Sequence, residues 1–369
     1  MKYPEYNQSL LALASSILSH YGVKTHHKTL KQLDLLLTKN YKNVVVMLFD
    51  GMGTSILEKH LPKDSFLRRH FVDTISSVFP PTTTAATTTM TTGLSPIEHG
   101  WLGWSLYFDE LQANVDLFPN TLSGTNDEVA ADYNVATRYI PYVDLFEKIN
   151  DATHGEVHAQ CISPFSEYKS KSVNEICNTV KSICLENGRN YIYTYWDQPD
   201  HDMHEYGTWI PQITEHMIQI NNEVESMCEG LTDTLVIVTA DHGHIDTQWL
   251  CLSDYPEVLE CLTRIPSIEA RAMSFFIHPE KKTQFVSAFK KHFGSYYQLF
   301  SKEKVYEEKL FGDGDAHSRA NGFIGDYLAV AISNISIAYE PRPYKPPFKG
   351  VHAGLTEDEV NIPLIMITR

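Results

Sequence analysis

The chain of 369 residues carries a formal net charge of −16, and 43% of its residues are hydrophobic. A chain of this length can bury a large core, and the strong negative charge argues against a protein that coats DNA or an anionic membrane surface. No stretch reaches the roughly 18 apolar residues of a membrane span, and the first residues, MKYPEYNQSL, lack the features of a secretory signal. These properties predict a globular protein with a cytoplasmic location.

The six cysteines form neither a CxxC pair nor a regular framework. We therefore expect reduced thiols rather than disulfides, as is usual in the cytosol. The negative charge still allows a small phosphorylated substrate, because bound metal ions would change the local field.

Short apolar runs recur along the chain, with helix-like segments between them. Each run is too short for a core helix and is rich in β-branched or aromatic residues, which is typical of buried strands. The runs lie at 41–49, 157–163, 191–196, 234–240, 272–277 and 362–368, and the clearest helix-like segments lie at 9–22, 172–188 and 211–230. This alternation predicts an α/β fold with a large, mostly parallel sheet covered by helices on both faces.

We expect a single catalytic domain over residues 1–369. Within it, the region from about 262 to 325 is predicted to form a small α+β cap or insertion, because FFIHPEKKTQFVSAFKKHFG has the pattern of a strand followed by an amphipathic helix. The polar stretch 120–134 and the proline cluster 341–347 are predicted to be loops, since strand patterns resume soon after each.

Acidic residues and histidines stand at the ends of the predicted strands. In an open α/β sheet, ligands bind at the carboxyl ends of the strands, so these side chains are expected to converge. A single acid after a strand is often a helix N-cap, but three such acidic strand ends and a late histidine are harder to explain as caps. The candidates are Asp50, Asp200, His204, Asp241, His242 and His352.

These residue types suit metal chemistry. Carboxylate and imidazole together are ligands of zinc and of manganese or iron, and six such residues are enough for two ions. A pair of ions about 4 Å apart is the arrangement that clamps the attacking and leaving oxygens of a phosphoryl displacement. The composition of the strand ends therefore favours a binuclear site.

The segment SVFPPTTTAATTTMTTG, at 77–93, is unusually rich in hydroxyl groups. One interpretation is a β-prone or low-complexity surface segment, since threonine loses side-chain freedom in helices. The other is that one hydroxyl is a nucleophile at the start of a helix. A hydroxyl bound to a metal ion loses its proton near neutral pH, so a threonine close to Asp50 could attack phosphorus.

Five motifs in order, MLFDGMG, FPPTTTAATTTMTTGLSPIEHG, PDHDMHEYG, TADHGH and HAGLT, resemble the alkaline phosphatase superfamily. The chain is most similar to the type I phosphodiesterase and nucleotide pyrophosphatase branch, over roughly residues 43–368. The resemblance implies an alkaline phosphatase-like fold and two zinc ions per chain, with Mn²⁺ as an alternative. It assigns Asp50, Thr83, Asp241 and His242 to one ion, and Asp200, His204 and His352 to the other.

The same resemblance places the nucleophile at Thr83, with Thr82 as the alternative one residue away. It also selects Asp200, spaced Asp-x-x-x-His from His204, over Asp197 and Asp202. It does not assign His201, His244 or His317 as metal ligands. We expect these histidines to support the ligands or to lie on the surface.

The predicted function is a metal-dependent phosphoric ester hydrolase, similar to a phosphodiesterase or nucleotide pyrophosphatase. Thr83 would attack a small phosphorylated substrate, a nucleotide or another phosphodiester rather than a nucleic-acid polymer, and a phosphothreonine would then be hydrolysed. No arginine stands near Thr83 in the sequence, which favours a diester over a dianionic monoester. The aromatic run at 101–108 could contact the second ester group or could pack in the core. The alternatives are a phosphomutase or phosphonate hydrolase on the same scaffold, or a non-catalytic metal-binding member.

Overall fold

The computed structural model describes residues 1–340 and 346–369. Five residues of the loop predicted at 341–347, those numbered 341–345, lie outside the described part. In chain order, the strands of the described part are β1 (Asn43–Phe49), β2 (Phe71–Ser76), β3 (Ser105–Phe108), β4 (Ala113–Asp116), β5 (Thr121–Leu122), β6 (Val157–Ile162), β7 (Arg189–Trp196), β8 (Thr234–Thr239), β9 (Ile245–Asp246), β10 (Gln248–Cys251), β11 (Ser267–Ile268), β12 (Ala272–Phe275), β13 (Tyr297–Ser301), β14 (Tyr327–Ala331), β15 (Ile335–Ala338), β16 (Gly350–Val351) and β17 (Asn361–Thr368).

The α-helices of the same residues are α1 (Leu10–His20), α2 (Lys31–Leu37), α3 (Thr54–His60), α4 (Phe66–Arg69), α5 (Thr83–Thr92), α6 (Pro96–His99), α7 (Val135–Tyr139), α8 (Leu145–Ala152), α9 (Val173–Leu185), α10 (Asp200–Tyr206), α11 (Pro211–Cys228), α12 (Pro256–Leu259), α13 (Lys282–Phe293), α14 (Lys302–Glu307), α15 (Ala320–Phe323) and α16 (Glu357–Val360).

The central sheet has six strands in the order β2-β17-β8-β1-β7-β6. Strand β1 pairs in parallel with β7 and β8, and β6 pairs in parallel with β7. Strand β17 is antiparallel to both β8 and β2, so every strand except β17 points the same way. The predicted mostly parallel sheet is confirmed, and its last strand runs opposite to the others.

The middle of this sheet is fully covered. Every residue of β1 and β8 is buried, which explains their continuous runs of valine, leucine and isoleucine. Helices α1, α5 and α8 pack together in one group, and α3, α4, α9 and α11 form another. The predicted fold class, an α/β sheet flanked by helices, is confirmed.

A second sheet has seven strands in the order β13-β14-β12-β11-β3-β4-β5, all paired in antiparallel fashion. It has two apolar clusters of its own, separate from the core of the central sheet. The run at 272–277 is predicted to be a buried strand, and its residues 272–275 form β12 of this second sheet. Strands from 105–122 and 327–331 join the strands of 262–325, so the predicted cap boundary stays a prediction.

One buried ion pair connects the turn before β12 of the second sheet to α16, the helix directly before β17. Arg271 and Glu359 are both fully buried, and Arg271 Nε and Nη2 donate to the Glu359 carboxylate at 2.6 and 2.8 Å. The same carboxylate accepts hydrogen bonds from the Gly354 N–H at 2.7 Å and the Thr356 hydroxyl at 2.7 Å. This network holds the segment that follows His352 against the second sheet.

Arg271→Ala is expected to lower the free energy of unfolding by about 3–5 kcal/mol, because it leaves the Glu359 carboxylate buried without a counter-charge. Denaturant titration of wild type and variant would measure the change. The double variant Arg271→Met with Glu359→Gln should be less destabilised than Arg271→Ala alone, since no uncompensated charge remains.

Lys282→Ala is the matched control, because Lys282 forms an ion pair with Asp326 on the surface. It should change stability little. A free energy of unfolding for Arg271→Ala that matches this control would contradict the expected importance of the buried pair.

Candidate active site

The predicted site residues converge at one edge of the central sheet. Asp50 directly follows β1, Asp241 lies two residues after β8, and Asp200 opens α10 after β7. These three strands are parallel, so their carboxyl ends meet at the same edge. Strand β17 runs the other way, and the segment before it therefore brings His352 to that edge as well.

The threonine-rich segment forms a helix in which several hydroxyls bond to the backbone one turn earlier. Thr87 Oγ1 donates to the Thr83 carbonyl at 2.7 Å, and Thr91 Oγ1 donates to the Thr87 carbonyl at 2.9 Å. These i to i−4 bonds give partners to hydroxyls on partly buried side chains. Helix α5 ends at Gly93, whose φ of +70° suits glycine and where a Cβ would lie 2.2 Å from Leu18 Cδ1.

Thr83 is the first residue of α5, and its hydroxyl lies inside the cluster. Its Oγ1 is 3.2 Å from His242 Nε2 and 3.4 Å from Asp50 Oδ2. The Thr82 hydroxyl points elsewhere and donates to Glu269 Oε1 at 2.6 Å. Of the two threonines left open by the sequence, Thr83 is the one that contacts the predicted metal residues.

The carboxylates and imidazoles form two overlapping groups. In the first, His242 Nε2 lies 3.2 Å from Asp50 Oδ1 and 3.5 Å from Asp241 Oδ2. The second is centred on Asp200. It contains His204, whose Nε2 is 3.2 Å from Asp200 Oδ2, together with His352 and His244, whose Nε2 atoms are 3.8 and 3.1 Å from Asp200 Oδ1.

Each predicted ligand histidine is held by its other ring nitrogen. His204 Nδ1 lies 2.8 Å from the Gly350 carbonyl, His242 Nδ1 lies 3.0 Å from the Gly243 carbonyl, and His352 Nδ1 lies 3.1 Å from the Pro81 carbonyl. A carbonyl can only accept, so Nδ1 carries the proton in each ring. The Nε2 atoms that face the carboxylates are then free to bind a metal ion.

The spacing of the cluster fits metal ligands better than direct ion pairs. Its nitrogen-to-oxygen distances run from 3.1 to 3.8 Å. Two ligands of one tetrahedral zinc are about 3.4 Å apart, given bond lengths near 2.1 Å. By contrast, His26 and His27 lie 2.7 and 2.6 Å from Glu98, which is ordinary hydrogen-bond spacing.

Buried polar atoms without hydrogen-bond partners in the cluster also indicate a bound cation. Asp241 Oδ1 accepts hydrogen bonds from the Gly51 and His242 N–H groups, but its buried Oδ2 has no hydrogen-bond partner among the described residues. Asp200 Oδ1 and His244 Nε2 lie 3.1 Å apart but are not aligned for a hydrogen bond, so both buried atoms are likewise without one. Buried polar atoms are rarely left in this state unless an ion or water satisfies them.

The pKa shifts of the clustered residues also indicate that the site binds cations. Burial, reinforced by the nearby Asp50 carboxylate, holds the pKa of Asp241 well above its usual range. Burial would lower the pKa of His242, but the charges of Asp241 and Asp50 outweigh it and raise that pKa to about 10. The protein alone therefore supplies too little positive charge for its buried carboxylates, and bound cations would compensate them.

Three residues near the cluster were not singled out as site residues from the sequence. His244 is not among the predicted metal ligands, yet its Nε2 lies 3.1 Å from Asp200 Oδ1. Tyr195, the next-to-last residue of β7, donates its hydroxyl to Asp50 Oδ2, and Glu269 accepts the hydroxyl of Thr82. The position of His244, two residues after His242, is a weak sequence signal for a site residue. Nothing in the sequence marks Tyr195 or Glu269 as site residues.

The remaining candidates lie outside the two groups. Asp202 pairs with His216 at 2.8 Å, and His201 is exposed on α10. His317 packs against Gly100, where a Cβ would lie 3.0 Å from its ring. Asp197 belongs to none of the groups of clustered ligand atoms in the described residues.

The aromatic run at 101–108 is divided between the core and the surface. Trp101 and Phe108 are buried, whereas 38% of Trp104 is exposed. The Trp104 ring centroid lies 6.0 Å from that of Phe118, and its backbone N–H donates to Glu269 Oε1 at 2.8 Å. Because Glu269 also binds Thr82, one carboxylate oxygen links the Trp104 backbone to the start of α5.

An α/β fold with a helix-flanked sheet and a cluster of carboxylates and imidazoles at one edge is of the alkaline phosphatase type. The sequence profile of the type I phosphodiesterase / nucleotide pyrophosphatase family matches residues 44–354. The chain therefore belongs to this family, which confirms the predicted resemblance. The family and the Asp/His groups support a metal-dependent phosphoric ester hydrolase.

Solved structures of related proteins share the fold. Murine and human ectonucleotide pyrophosphatase / phosphodiesterase 5 each match with a TM-score of 0.65 and 16% identity, over 88% of this chain and 88% or 87% of theirs. An inactive threonine-to-alanine variant of the murine protein, in complex with AMP, matches with a TM-score of 0.63 and 16% identity, over 87% of both chains. No curated protein sequence matches the chain significantly.

None of the helices in the described residues combines the length and apolar character needed to cross a membrane.

Proposed function

We propose that this protein hydrolyses phosphodiesters of small molecules, with Thr83 as the nucleophile and two zinc ions as cofactors. The observation that carries the proposal is the position of the Thr83 hydroxyl. It lies at the start of a helix, 3.2 Å from His242 Nε2 and 3.4 Å from Asp50 Oδ2, beside buried carboxylate atoms that lack partners. A hydroxyl placed in this way is suited to attack phosphorus.

The proposed ligands divide between the two ions. Asp50, Thr83, Asp241 and His242 would hold one, and Asp200, His204 and His352 would hold the other, with Mn²⁺ as the alternative metal. Such ions lower the pKa of a coordinated hydroxyl and neutralise the charge of phosphoryl oxygens. The clustering of Asp50, Asp241 and His242, and of Asp200 with His204, supports the division. His352 is grouped with Asp200 and His242, so it lies between the two sites.

The start of α5 offers the substrate hydrogen-bond donors. The Thr82 side chain makes no capping hydrogen bond to the helix, and its hydroxyl donates to Glu269. The first N–H groups of α5, around Thr84, are therefore available to phosphoryl oxygens, and the helix dipole favours negative charge there. Donors of this kind stabilise the charge that develops as the Thr83 oxygen bonds to phosphorus.

The charges around the site favour a diester over a monoester. A monoester dianion brings more negative charge, which enzymes commonly balance with an added arginine. In the described part of the chain, no lysine or arginine forms an ion pair with a proposed metal ligand. Arg138 lies 4.4 Å from the Tyr133 ring, and Arg319 pairs with Glu110.

The second ester group would lie near Trp104 and Phe118, which are 38% and 45% exposed. Phe165, 79% exposed, forms a further aromatic surface, since its ring centroid lies 6.1 Å from that of Tyr195, the residue that binds Asp50. Exposed aromatic rings can stack on a nucleobase or cover another apolar group. The AMP complex of the murine relative supports a nucleotidyl group as one part of such a diester.

We expect the nitrophenyl ester of thymidine monophosphate to be hydrolysed with a higher kcat/KM than nitrophenyl phosphate. The physical reason is the shortage of protein cations at the site together with the aromatic surface beside it. Both substrates would be compared at one pH with zinc present. A monoester preferred tenfold or more would contradict the diesterase assignment, and a zinc-replete protein inactive on both would favour a non-catalytic member.

A cytoplasmic location is also part of the proposal. All six cysteines are unpaired in the described structure, and four of them are buried. Unpaired thiols are typical of a reducing compartment. Fractionation of cells expressing the untagged protein would test this location.

A further inference from the structure

The short turn between β11 and β12 reaches the candidate site with a strained backbone. Ile268, the last residue of β11, has a φ of +81°, which is unusual for a β-branched residue. Its backbone lies so close to Gly103 that a Cβ there would be 2.9 Å from the Ile268 carbonyl oxygen. Backbone strain of this kind persists only where the surrounding structure enforces it, and it is concentrated at functional sites.

Glu269, the next residue, joins two segments of the site through one oxygen atom. Its Oε1 accepts a hydrogen bond of 2.6 Å from the Thr82 hydroxyl and one of 2.8 Å from the Trp104 N–H. Its Oε2 accepts none from the described residues. A single carboxyl oxygen thus ties the residue before Thr83 to the loop that carries the exposed aromatic side chains.

The Thr82 side chain does not act as a helix cap. A threonine before a helix commonly accepts a hydrogen bond from the helix backbone, but Thr82 accepts none, and its hydroxyl donates to Glu269. Glu269 therefore fixes Thr82, and Thr83 follows directly in the chain. A displacement of about 1 Å in a reacting group can reduce a rate about a hundredfold, so the anchor is important.

We propose that Glu269 is a positioning residue that couples the Trp104 loop to the nucleophile Thr83. The inference rests on the proposed hydrolase function and adds a specificity element to it. When the second ester group of a substrate packs against Trp104, the shared oxygen of Glu269 holds Thr82, and through it Thr83, in the position for attack. Glu269 acts by accepting hydrogen bonds and does not exchange a proton with the substrate.

The charge state of Glu269 is compatible with this role. Burial raises the pKa of Glu269 to about 7, and its hydrogen bond from Thr82 limits the rise. With the proton on Oε2, the Oε1 atom can still accept both hydrogen bonds. The coupling therefore needs the oxygen rather than the negative charge, and a glutamine should provide it equally well.

Three variants test the coupling. Glu269→Ala should lower kcat for bis(nitrophenyl) phosphate by about ten- to a hundredfold, as expected for a displaced nucleophile. The loss should be smaller for methyl nitrophenyl phosphate, which has no aromatic second ester group. Glu269→Gln should stay within about threefold of wild type because it keeps the acceptor oxygen. Thr82→Val should resemble Glu269→Ala, and the double variant should lose no more than either single one.

Glu260→Ala is the matched control, because Glu260 is exposed and its side chain makes no hydrogen bond in the described residues. Glu269→Gln as inactive as Glu269→Ala would overturn the positioning role, and so would Glu269→Ala with unchanged kcat. An unchanged metal content in every variant would show that the loss does not arise from the metal site.

A second measurement separates this inference from the proposed function. If the wild-type protein hydrolyses no ester, the proposed function fails, but the coupling can still be measured as stability. The effects of Glu269→Ala and Thr82→Val on the free energy of unfolding should be non-additive, because both remove the same hydrogen bond. Additive effects would overturn the inference whatever the activity.

Discussion

Replacing Thr83 with alanine is expected to lower kcat for a nitrophenyl diester by about a thousandfold or more, because the variant lacks the attacking oxygen. Metal content and the unfolding midpoint should change little, since the hydroxyl contributes one ligand at most. Steady-state kinetics, elemental analysis and thermal unfolding of the same preparations would measure the three quantities. Thr83→Ser should keep measurable activity because it retains a hydroxyl in this position.

Thr91→Ala is the control for this experiment. Its hydroxyl donates to the Thr87 carbonyl two turns further along α5, away from the cluster, so its removal should leave kcat unchanged. If Thr82→Ala instead of Thr83→Ala abolished turnover completely, the nucleophile would be the neighbouring threonine.

Removal of metal should have an equally large effect. The buried carboxylates of Asp50, Asp200 and Asp241 have too few protein cations to compensate them, and orphaned oxygen atoms remain among them. We expect purified, zinc-replete protein to contain about two ions per chain, and prolonged chelation to abolish hydrolysis. Added zinc should restore it.

Single ligand variants would separate the two ions. Asp241→Asn and Asp200→Asn should each reduce the metal content towards one ion per chain, measured by elemental analysis after gel filtration. His26→Ala serves as the control, because His26 lies at hydrogen-bond distance from Glu98 in a separate group. One ion or none in the zinc-replete wild-type protein would contradict the binuclear proposal.

The central sheet could be predicted because its strands carry strong local signals. Strands such as β1 and β8 are continuous apolar runs, and buried parallel strands have this composition. The second sheet gave much weaker signals. Strands β5 and β11 are two residues long and show no periodicity, and their pairing depends on contacts between segments far apart in the chain. The reversed direction of β17 also cannot be deduced from its own sequence.

The same contrast applies to the candidate site. Residues at the ends of strong strands, such as Asp50 and Asp241, could be predicted because parallel strands bring their carboxyl ends together. The role of Glu269 depends on the strained turn between β11 and β12 of the second sheet. No sequence pattern predicts this turn. The family resemblance favours Thr83 over Thr82 from the sequence, but the direction in which each hydroxyl points is seen only in the structure.

The position of β17 has a consequence for how the protein is assembled during synthesis. It is the last strand of the central sheet along the chain, yet it lies between β2 and β8. A ribosome delivers it after all its partners, so β2 has no neighbour in the sheet until Asn361–Thr368 emerge. The Ser77 N–H, just after β2, donates to the Val360 carbonyl at 2.8 Å, and this bond can form only after Val360 has been synthesised. The central sheet therefore cannot be completed on the nascent chain until Asn361–Thr368 have been synthesised.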